Sequence, residues 1–286
     1  MDLTMTTYFL PWGDRNIASS RLRVWNVVSE MKNTMVGVPE EYKKGDVLII
    51  QKAANITELL KAQSQGAKVI YDIDDNFLDK PEFAEMCRRA DLVTVGSHLF
   101  HKWFPDAPVI DDTLDWDGTT KESYASEDSQ KLVGWHGYGN LNYLSAFGHA
   151  FLDKGYKIKA IVGEKYMPYY SQYETAAWKL ETIDKELAAC DLLAFYLPDD
   201  DFSQAKGMNK LIKGWAIGLP VFVSYTGEYD RVMEESGMRG FMVASDNWHN
   251  HDFTPPWDPK MREYALSFSP KRIAAQWQAA IELVCK

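Results

Sequence analysis

Three lysines in one short segment are the first candidates for chemistry in this chain. Lys206, Lys210 and Lys213 lie between two apolar stretches, 192–197 and 221–224, and the intervening residues read as a helix that a glycine ends before a buried strand. A helix N-terminus combines unpaired N–H groups with partial positive charge, so nearby ammonium groups favour a phosphate. The pattern predicts that Lys210 contacts a phosphate, with Lys206 and Lys213 as further cations around the same helix start. Ordinary solvated lysines are the alternative.

A glycine-rich loop provides a second candidate for phosphate binding. The residues from 134 to 140 read GWHGYGN and fall between a predicted strand and a predicted helix. Glycines allow backbone N–H groups to approach a diphosphate closely, so we predict that Gly137, Tyr138 and Gly139 contact one. The spacing is not that of a dinucleotide-binding fingerprint, and a tight turn without a ligand is the alternative. His136 could touch a ligand here, although an isolated histidine is more often structural.

Carboxylates cluster at the end of another buried strand. Asp72, Asp74 and Asp75 close the stretch KVIYDIDD, and the first two project to the same side while the chain is extended. Such a group could act as a general base, bind sugar hydroxyls or bind Mg²⁺, and we predict all three as catalytic residues. A solvated strand end that caps the next helix is the alternative. The Asp-x-Asp spacing also allows a phosphohydrolase of the haloacid-dehalogenase type, which the following residues disfavour.

Arginines follow the first predicted strand. Arg21 and Arg23 come after the stretch 6–11 and begin a helix predicted to run through Met31. Guanidinium groups at this end of a strand could bind anionic phosphates, and we predict Arg21 as such a contact. Charges on a solvated helix face are the alternative.

These candidates need a framework of alternating strands and helices. Apolar runs without polar alternation indicate strands buried on both faces, and helices with one apolar stripe separate them, which is the pattern of a covered parallel sheet. We therefore predict the α/β class with two Rossmann-like halves. The polar stretch 111–131 is the predicted linker, and the domains are expected at 1–125 and 126–269. The final predicted helix, 270–286, is expected to return to the first domain.

The composition and the net charge disfavour several classes of protein. The 286 residues include 46% hydrophobic and 25% charged residues, and the net charge is −10. No apolar run approaches a membrane span and no signal pattern opens the chain, so a cytoplasmic protein without a membrane span is expected. The acidic balance disfavours general attraction to nucleic acid. Three cysteines without metal-ligand spacing are interpreted as buried thiols.

The order of elements and several short motifs resemble the GT-B glycosyltransferases of the large family 4 group, also called group 1. The most specific match is the pattern of Lys210, Ala216, Gly218, Leu219, Pro220 and Val221. The resemblance implies a nucleotide-sugar donor, most simply a UDP- or GDP-sugar, held by the C-terminal domain with Lys210 at the diphosphate. It also implies a hydroxyl acceptor on the N-terminal domain, an interdomain cleft, a C-terminal crossover helix, retention of configuration and no required metal or cofactor.

The chain departs from this family at two positions. Lys213 and Ala205 stand where relatives carry glutamates, one of which holds the ribose hydroxyls of the donor. A cation cannot accept hydrogen bonds from hydroxyl groups, so Asp201 or Glu228 could substitute, or the donor could be unusual. The sequence leaves three classes of acceptor open, namely a glycan, a small molecule or a modified DNA base such as a hydroxymethylated one. A catalytically silent sugar-nucleotide-binding protein is a further alternative, and the oligomeric state stays open.

Overall fold

The computed structural model of the chain describes residues 5–124, 129–137 and 141–286. In chain order, its strands are β1 (Thr7–Leu10), β2 (Thr34–Val36), β3 (Val47–Gln51), β4 (Lys68–Ile73), β5 (Leu92–Val95), β6 (Leu132–Gly137), β7 (Lys157–Val162), β8 (Glu174–Ala177), β9 (Leu192–Phe195), β10 (Val221–Ser224) and β11 (Met242–Val243). Its α-helices are α1 (Ala18–Ser20), α2 (Ile56–Ser64), α3 (Pro81–Arg89), α4 (Leu141–Asp153), α5 (Ile183–Ala188), α6 (Asp201–Gln204), α7 (Asn209–Ile217), α8 (Gly227–Ser236), α9 (Pro259–Leu266) and α10 (Pro270–Val284).

The chain forms two compact α/β units. The first unit comprises Met1–Leu114, Gln204–Gly207 and Phe268–Lys286, and the second comprises Asp115–Ser203 and Met208–Ser267. Each unit contains one parallel sheet, which confirms the predicted pair of Rossmann-like halves. The predicted limits at residues 125 and 269 remain predictions for the functional domains.

The first unit is built on a five-stranded parallel sheet in the order β2-β1-β3-β4-β5. Its central strands pair in register, with Tyr8 opposite Leu48 and Leu48 opposite Val69. The order reverses between β1 and β3, and in sheets of this kind ligands bind beyond the carboxyl ends of the strands at such a reversal. A ligand of this unit is therefore expected to bind next to the loops that follow β1 and β3.

Helix α10 completes the core of the first unit. Ser269 caps its N-terminus by accepting a hydrogen bond from the N–H of Arg272, and Pro270 provides a preset first turn. Trp277 packs edge-on against Phe9 of β1, with ring centroids 5.5 Å apart. The final helix therefore packs on the sheet of the first unit.

The second unit is built on a six-stranded parallel sheet in the order β11-β10-β9-β6-β7-β8. Counted from its own first strand, this is the doubly wound Rossmann order, and the reversal lies between β6 and β9. Val133 of β6 pairs with Leu192 of β9, which places the two strands side by side at the centre of the sheet.

Several local predictions were wrong. The helix expected through Met31 is divided into α1, a π-helical turn at Arg21–Trp25 and a 3-10 turn at Val28–Glu30, a stretch in which β-branched valines weaken the α-helix. Val109 forms a single β-bridge with Val95. Strand β2 and helix α9 were not predicted. Cys285 is exposed and not buried.

Further 3-10 turns occupy His98–Lys102, Glu164–Tyr170 and Arg239–Phe241. Within the described ranges, no helix has the length and apolar character that crossing a membrane requires.

Candidate functional site

Lys210 lies at the strand-order reversal of the second unit. Its Nζ donates a hydrogen bond to the backbone carbonyl of His136, near the carboxyl end of β6, over a distance of 2.8 Å. The same ammonium group lies 5.2 Å from the ring centroid of Phe195, the last residue of β9. Lys210 thus joins the ends of the two strands between which a ligand is expected in this fold type.

Close packing fixes the helix that carries Lys210. At Gly214 in α7, an added Cβ atom would lie 2.5 Å from Cγ2 of Val221 and 2.8 Å from Cδ1 of Leu193, so the helix approaches β9 and β10 as closely as a glycine allows. Gly218 then ends α7 with a φ of 105°. The glycines that identified this segment in the sequence therefore position the first turn of the helix on the sheet.

His136, for which the sequence left a ligand contact and a structural role open, is a further candidate residue of this site. The residue is only 9% exposed, and its Nε2 is buried without a hydrogen-bond partner among the described residues. Its ring lies edge-on to that of Phe195, with centroids 5.2 Å apart. Burial, followed by the charges of Lys210 and Lys213, lowers the pKa of His136 well below its usual value, so the imidazole is neutral.

The predicted glycine loop is only partly described. Gly137 ends β6, and an added Cβ atom there would lie 2.7 Å from the Trp135 ring, so a larger residue would displace that indole. Tyr138 and Gly139 lie outside the described residues. Their predicted contacts with a diphosphate remain predictions.

Lys213 is held by carboxylates of its own unit. Its Nζ lies 2.6 Å from Oδ1 of Asp184 in α5 and 3.6 Å from Oδ2 of Asp115. Burial raises the pKa of Asp184, and the attraction of Lys213 opposes that effect. The cation that replaces the family's glutamate therefore has acidic partners inside the unit, and its contact with a phosphate remains a prediction.

The acids considered as substitutes for that glutamate differ in accessibility. Asp201 is exposed at the start of α6. Glu228 is almost fully buried in the first turn of α8, where its Oε2 accepts a hydrogen bond of 2.9 Å from Arg231. Glu228 follows β10 and so lies near the carboxyl edge of the sheet.

In the first unit, Asp72 is part of a buried ion pair. Arg23 donates from Nε to Oδ2 over 2.8 Å and from Nη2 to Oδ1 over 2.6 Å, and Thr94 adds a third bond of 2.8 Å to Oδ1. Both Asp72 and Arg23 have no exposed surface. The solvated alternatives considered for them are therefore wrong, and the geometry gives Asp72 a positioning role, while its predicted part in catalysis is untested.

Asp75 binds two lysines, one of which is Lys206. Both Lys52 and Lys206 donate to its carboxylate. Burial alone would raise the pKa of Asp75, but the attraction of Lys206 and Lys52 outweighs it and the pKa is lowered. Lys206 lies in the first unit and precedes the start of α7 at Asn209, and its predicted contact with a phosphate remains a prediction.

Asp74 differs from its two neighbours. Its Oδ1 is buried without a hydrogen bond among the described residues and lies 3.7 Å from Nζ of Lys52. Burial raises the pKa of Asp74 to about 6, more than the attraction of Lys52 lowers it. Among the three predicted carboxylates, Asp74 therefore has the chemistry best suited to exchanging a proton with a hydroxyl group.

Arg21 and Gln51 organise the loop after β1. The Nη1 of Arg21 donates to the carbonyl of Arg15 over 2.6 Å, and the side chain is 5% exposed, so its predicted contact with a phosphate remains a prediction. Oε1 of Gln51 accepts hydrogen bonds from the N–H of Trp12 and from Oγ of Ser20. Gln51 was missed, although a polar residue ending the apolar run DVLIIQ at a strand's carboxyl end was the available signal.

Comparison with known proteins identifies the fold. No protein-family model and no curated protein matches the sequence. The structure resembles that of Anabaena Alr3699/HepE in complex with UDP, with a TM-score of 0.68, 12% identity, and 98% of this chain and 100% of that chain covered. The same protein in complex with UDP-glucose gives a TM-score of 0.66 at 13% identity, with the same coverage.

A third match is a UDP-forming α,α-trehalose-phosphate synthase from Burkholderia xenovorans. It has a TM-score of 0.61 and 10% identity and covers 86% of this chain and 75% of that chain. The match to the protein in complex with UDP covers 98% of this chain and so includes both of its parallel sheets. The chain therefore has the GT-B glycosyltransferase fold.

Proposed function

We propose that this protein transfers a sugar from a UDP-sugar to a hydroxyl acceptor. The observation that carries the proposal is the position of Lys210, whose ammonium group lies against the ends of β6 and β9 where the strand order reverses. A cation at that point, on the first turn of a helix, suits a nucleoside diphosphate. The shared fold with a protein in complex with UDP and UDP-glucose supports the choice of nucleotide.

The chemistry requires a stabilised leaving group. Cleavage of the bond between sugar and diphosphate leaves negative charge on the β-phosphate, and a preorganised cation lowers the energy of that transition state. Lys210 supplies this charge in the proposed mechanism, with the backbone after Gly137 as a second contact. Retention of configuration, which the family resemblance implies, belongs to the proposal.

The acceptor is proposed to bind the first unit. Asp74 is the carboxylate we assign to the acceptor hydroxyl, because its Oδ1 is buried without a hydrogen bond in the described part of the chain and its pKa is raised to about 6. Asp72 and Asp75 hold the surrounding cations Arg23, Lys52 and Lys206 in place. In the proposed function, Lys210 of the second unit therefore acts on the donor, and the three aspartates of the first unit serve the acceptor.

Binding of nucleotides tests the donor assignment directly. We expect UDP to raise the melting temperature of the wild-type chain, because a ligand that binds the folded state stabilises it. Removal of one charge-assisted contact in Lys210→Met should weaken UDP binding about 10- to 100-fold. The exposed Lys157 provides a matched control, and Lys157→Met should bind UDP as the wild type does. Wild-type protein that binds no nucleoside diphosphate would overturn the proposal.

Turnover separates an enzyme from a silent binder. Release of UDP from UDP-sugars should be measured for the wild type, for Lys210→Met and for Asp74→Asn over a panel of hydroxylated acceptors. Binding of UDP-sugars without release by the wild type would favour the silent binder. Unchanged rates in both variants would contradict the assigned roles of Lys210 and Asp74.

A further inference from the structure

We propose that His136 takes up a proton when the diphosphate of the donor binds beside Lys210, so that the site gains a second cation only while the nucleotide is present. This inference rests on the donor site proposed above. It goes beyond that site because it assigns a residue and a protonation step that neither the resemblance nor the fold provides.

The first support is the position of the imidazole. His136 is the second-last residue of β6, at the strand-order reversal, and its own carbonyl oxygen accepts the hydrogen bond from Lys210. The side chain and the ammonium group therefore lie at the same strand end. A phosphate bound by Lys210 at this point would lie close to the imidazole.

The second support is a buried polar atom for which the described residues provide no hydrogen-bond partner. Nε2 of His136 is buried and has no hydrogen-bond partner among the described residues. A buried polar atom without a partner costs stability, so its retention calls for an explanation such as a ligand. A phosphate oxygen would satisfy a protonated Nε2.

The surroundings explain why His136 is neutral without a ligand. Lys210 and Lys213 face it from α7 and disfavour a further positive charge, while the packed neighbours are the ring of Phe195 on β9 and, in register on β7, Ile161. Within the described ranges, the charged groups that affect the imidazole are these two lysines. Burial and both cations lower the pKa of His136.

A bound diphosphate reverses this electrostatic balance. Its negative charges offset those of the lysines and favour the imidazolium form. The proton comes from solvent and forms the missing N–H bond of the ring, and it returns to solvent when UDP leaves. No covalent bond to the nucleotide forms. Because binding then consumes protons, the affinity for UDP should rise as the pH falls.

Calorimetry can count the protons. UDP is titrated into the protein at pH 6.5 in buffers of different ionisation enthalpy, which gives the number of protons taken up per UDP bound. The terminal phosphate of UDP itself has a pKa of about 6 and also exchanges protons. Proton uptake by the wild type is therefore compared with that of a variant that lacks the His136 imidazole. His136→Gln and His136→Asn serve as that variant, and His149→Gln, at an exposed position on α4, is the matched control.

We expect the wild type and His149→Gln to take up about half a proton more per UDP than the His136 variants at this pH. Between pH 7.5 and 6.0, their affinity for UDP should rise about fourfold relative to those variants. Equal proton uptake by the wild type and the variants would overturn the inference and leave the donor site intact. Failure of the wild type to bind UDP would overturn both.

A measurement on the wild type alone guards against variants that do not fold. In protein labelled at its six histidines, UDP should shift one imidazole signal at pH 6.5 from the neutral position about halfway towards the imidazolium position in nuclear magnetic resonance spectra. Binding of UDP without such a shift would overturn the inference.

Discussion

Lys213 and Asp184 form a buried ion pair, with Nζ 2.6 Å from Oδ1, at the position of α7 where the family resemblance predicts a glutamate. Oδ2 of the same aspartate accepts a hydrogen bond from the N–H of Asp117, so the carboxylate is held from two directions. Lys213 is thus neutralised by a carboxylate of α5 within the second unit.

Because of this ion pair, a glutamate at position 213 should destabilise this chain. Lys213→Glu would place a third carboxylate beside Asp184 and Asp115 without a cation, and we expect the free energy of unfolding to fall by about 3 kcal/mol or more. Urea denaturation followed by circular dichroism measures this change. Lys157→Glu, at an exposed position of the same unit, should change it by less than about 1 kcal/mol. A double variant, Lys213→Glu with Asp184→Lys, should recover part of the loss, and no recovery would contradict direct pairing.

Ionisation of Asp74 should destabilise the first unit at neutral pH. Its pKa is about 6 in the folded chain and near 3.8 when unfolded, so the unfolded state binds fewer protons between these values. The contribution of Asp74 to the free energy of unfolding is therefore fully present below pH 3.8 and is lost as the pH rises through about 6. We expect Asp74→Asn to be more stable than the wild type by about 1–3 kcal/mol at pH 7, with the advantage disappearing by about pH 4.

Urea denaturation at several pH values tests the Asp74 prediction. Asp79→Asn, at an exposed position in the same segment, is the matched control and should show no such pH-dependent difference. A stability difference between Asp74→Asn and the wild type that stays constant from pH 7 to pH 4 would show that Asp74 titrates normally.

Arg23 should be indispensable to the first unit. It donates two hydrogen bonds to Asp72 and a third, of 2.5 Å, to the carbonyl of Ile110, so Arg23→Met leaves a buried carboxylate without its cation. We expect a loss of about 3–5 kcal/mol in the free energy of unfolding. Arg88→Met removes an exposed pair with Glu85 on α3 and should cost less than about 1 kcal/mol. Similar losses in the two variants would contradict the structural role of Arg23.

Gly214 should be required for the close packing of α7 against the sheet of the second unit. Gly214→Ala places a methyl group 2.5 Å from Val221 and 2.8 Å from Leu193, and the resulting overpacking should cost about 1–3 kcal/mol despite the higher helix propensity of alanine. Affinity for UDP should fall as well, because Lys210 moves with the helix. Gly227→Ala provides the control, since an added Cβ atom at Gly227 meets no atom within 4 Å. A Gly214→Ala variant as stable as the wild type would refute the close-packing argument.

The local chain pattern was enough to predict the architecture. Buried strands read as apolar runs, and Gly218 and Pro220 mark the passage from α7 to β10, because periodicity and turn chemistry depend on neighbouring residues. The resulting alternation predicted two parallel sheets, and the comparison with solved structures confirms the GT-B fold. Short or irregular elements such as β2 and the π-helical turn at Arg21–Trp25 escaped prediction, because three to five residues carry too little pattern.

The partners of the charged residues were decided by the tertiary structure. The sequence by itself identified Lys206, Lys210 and Lys213 as a cationic segment. It could not show that Lys206 pairs with Asp75, 131 positions away, or that Lys213 pairs with Asp184. Charge pairing depends on distance in space, and chain folding brings together residues whose separation in sequence carries no signal. For the same reason, only the folded chain shows that Lys210 meets His136 at the strand-order reversal.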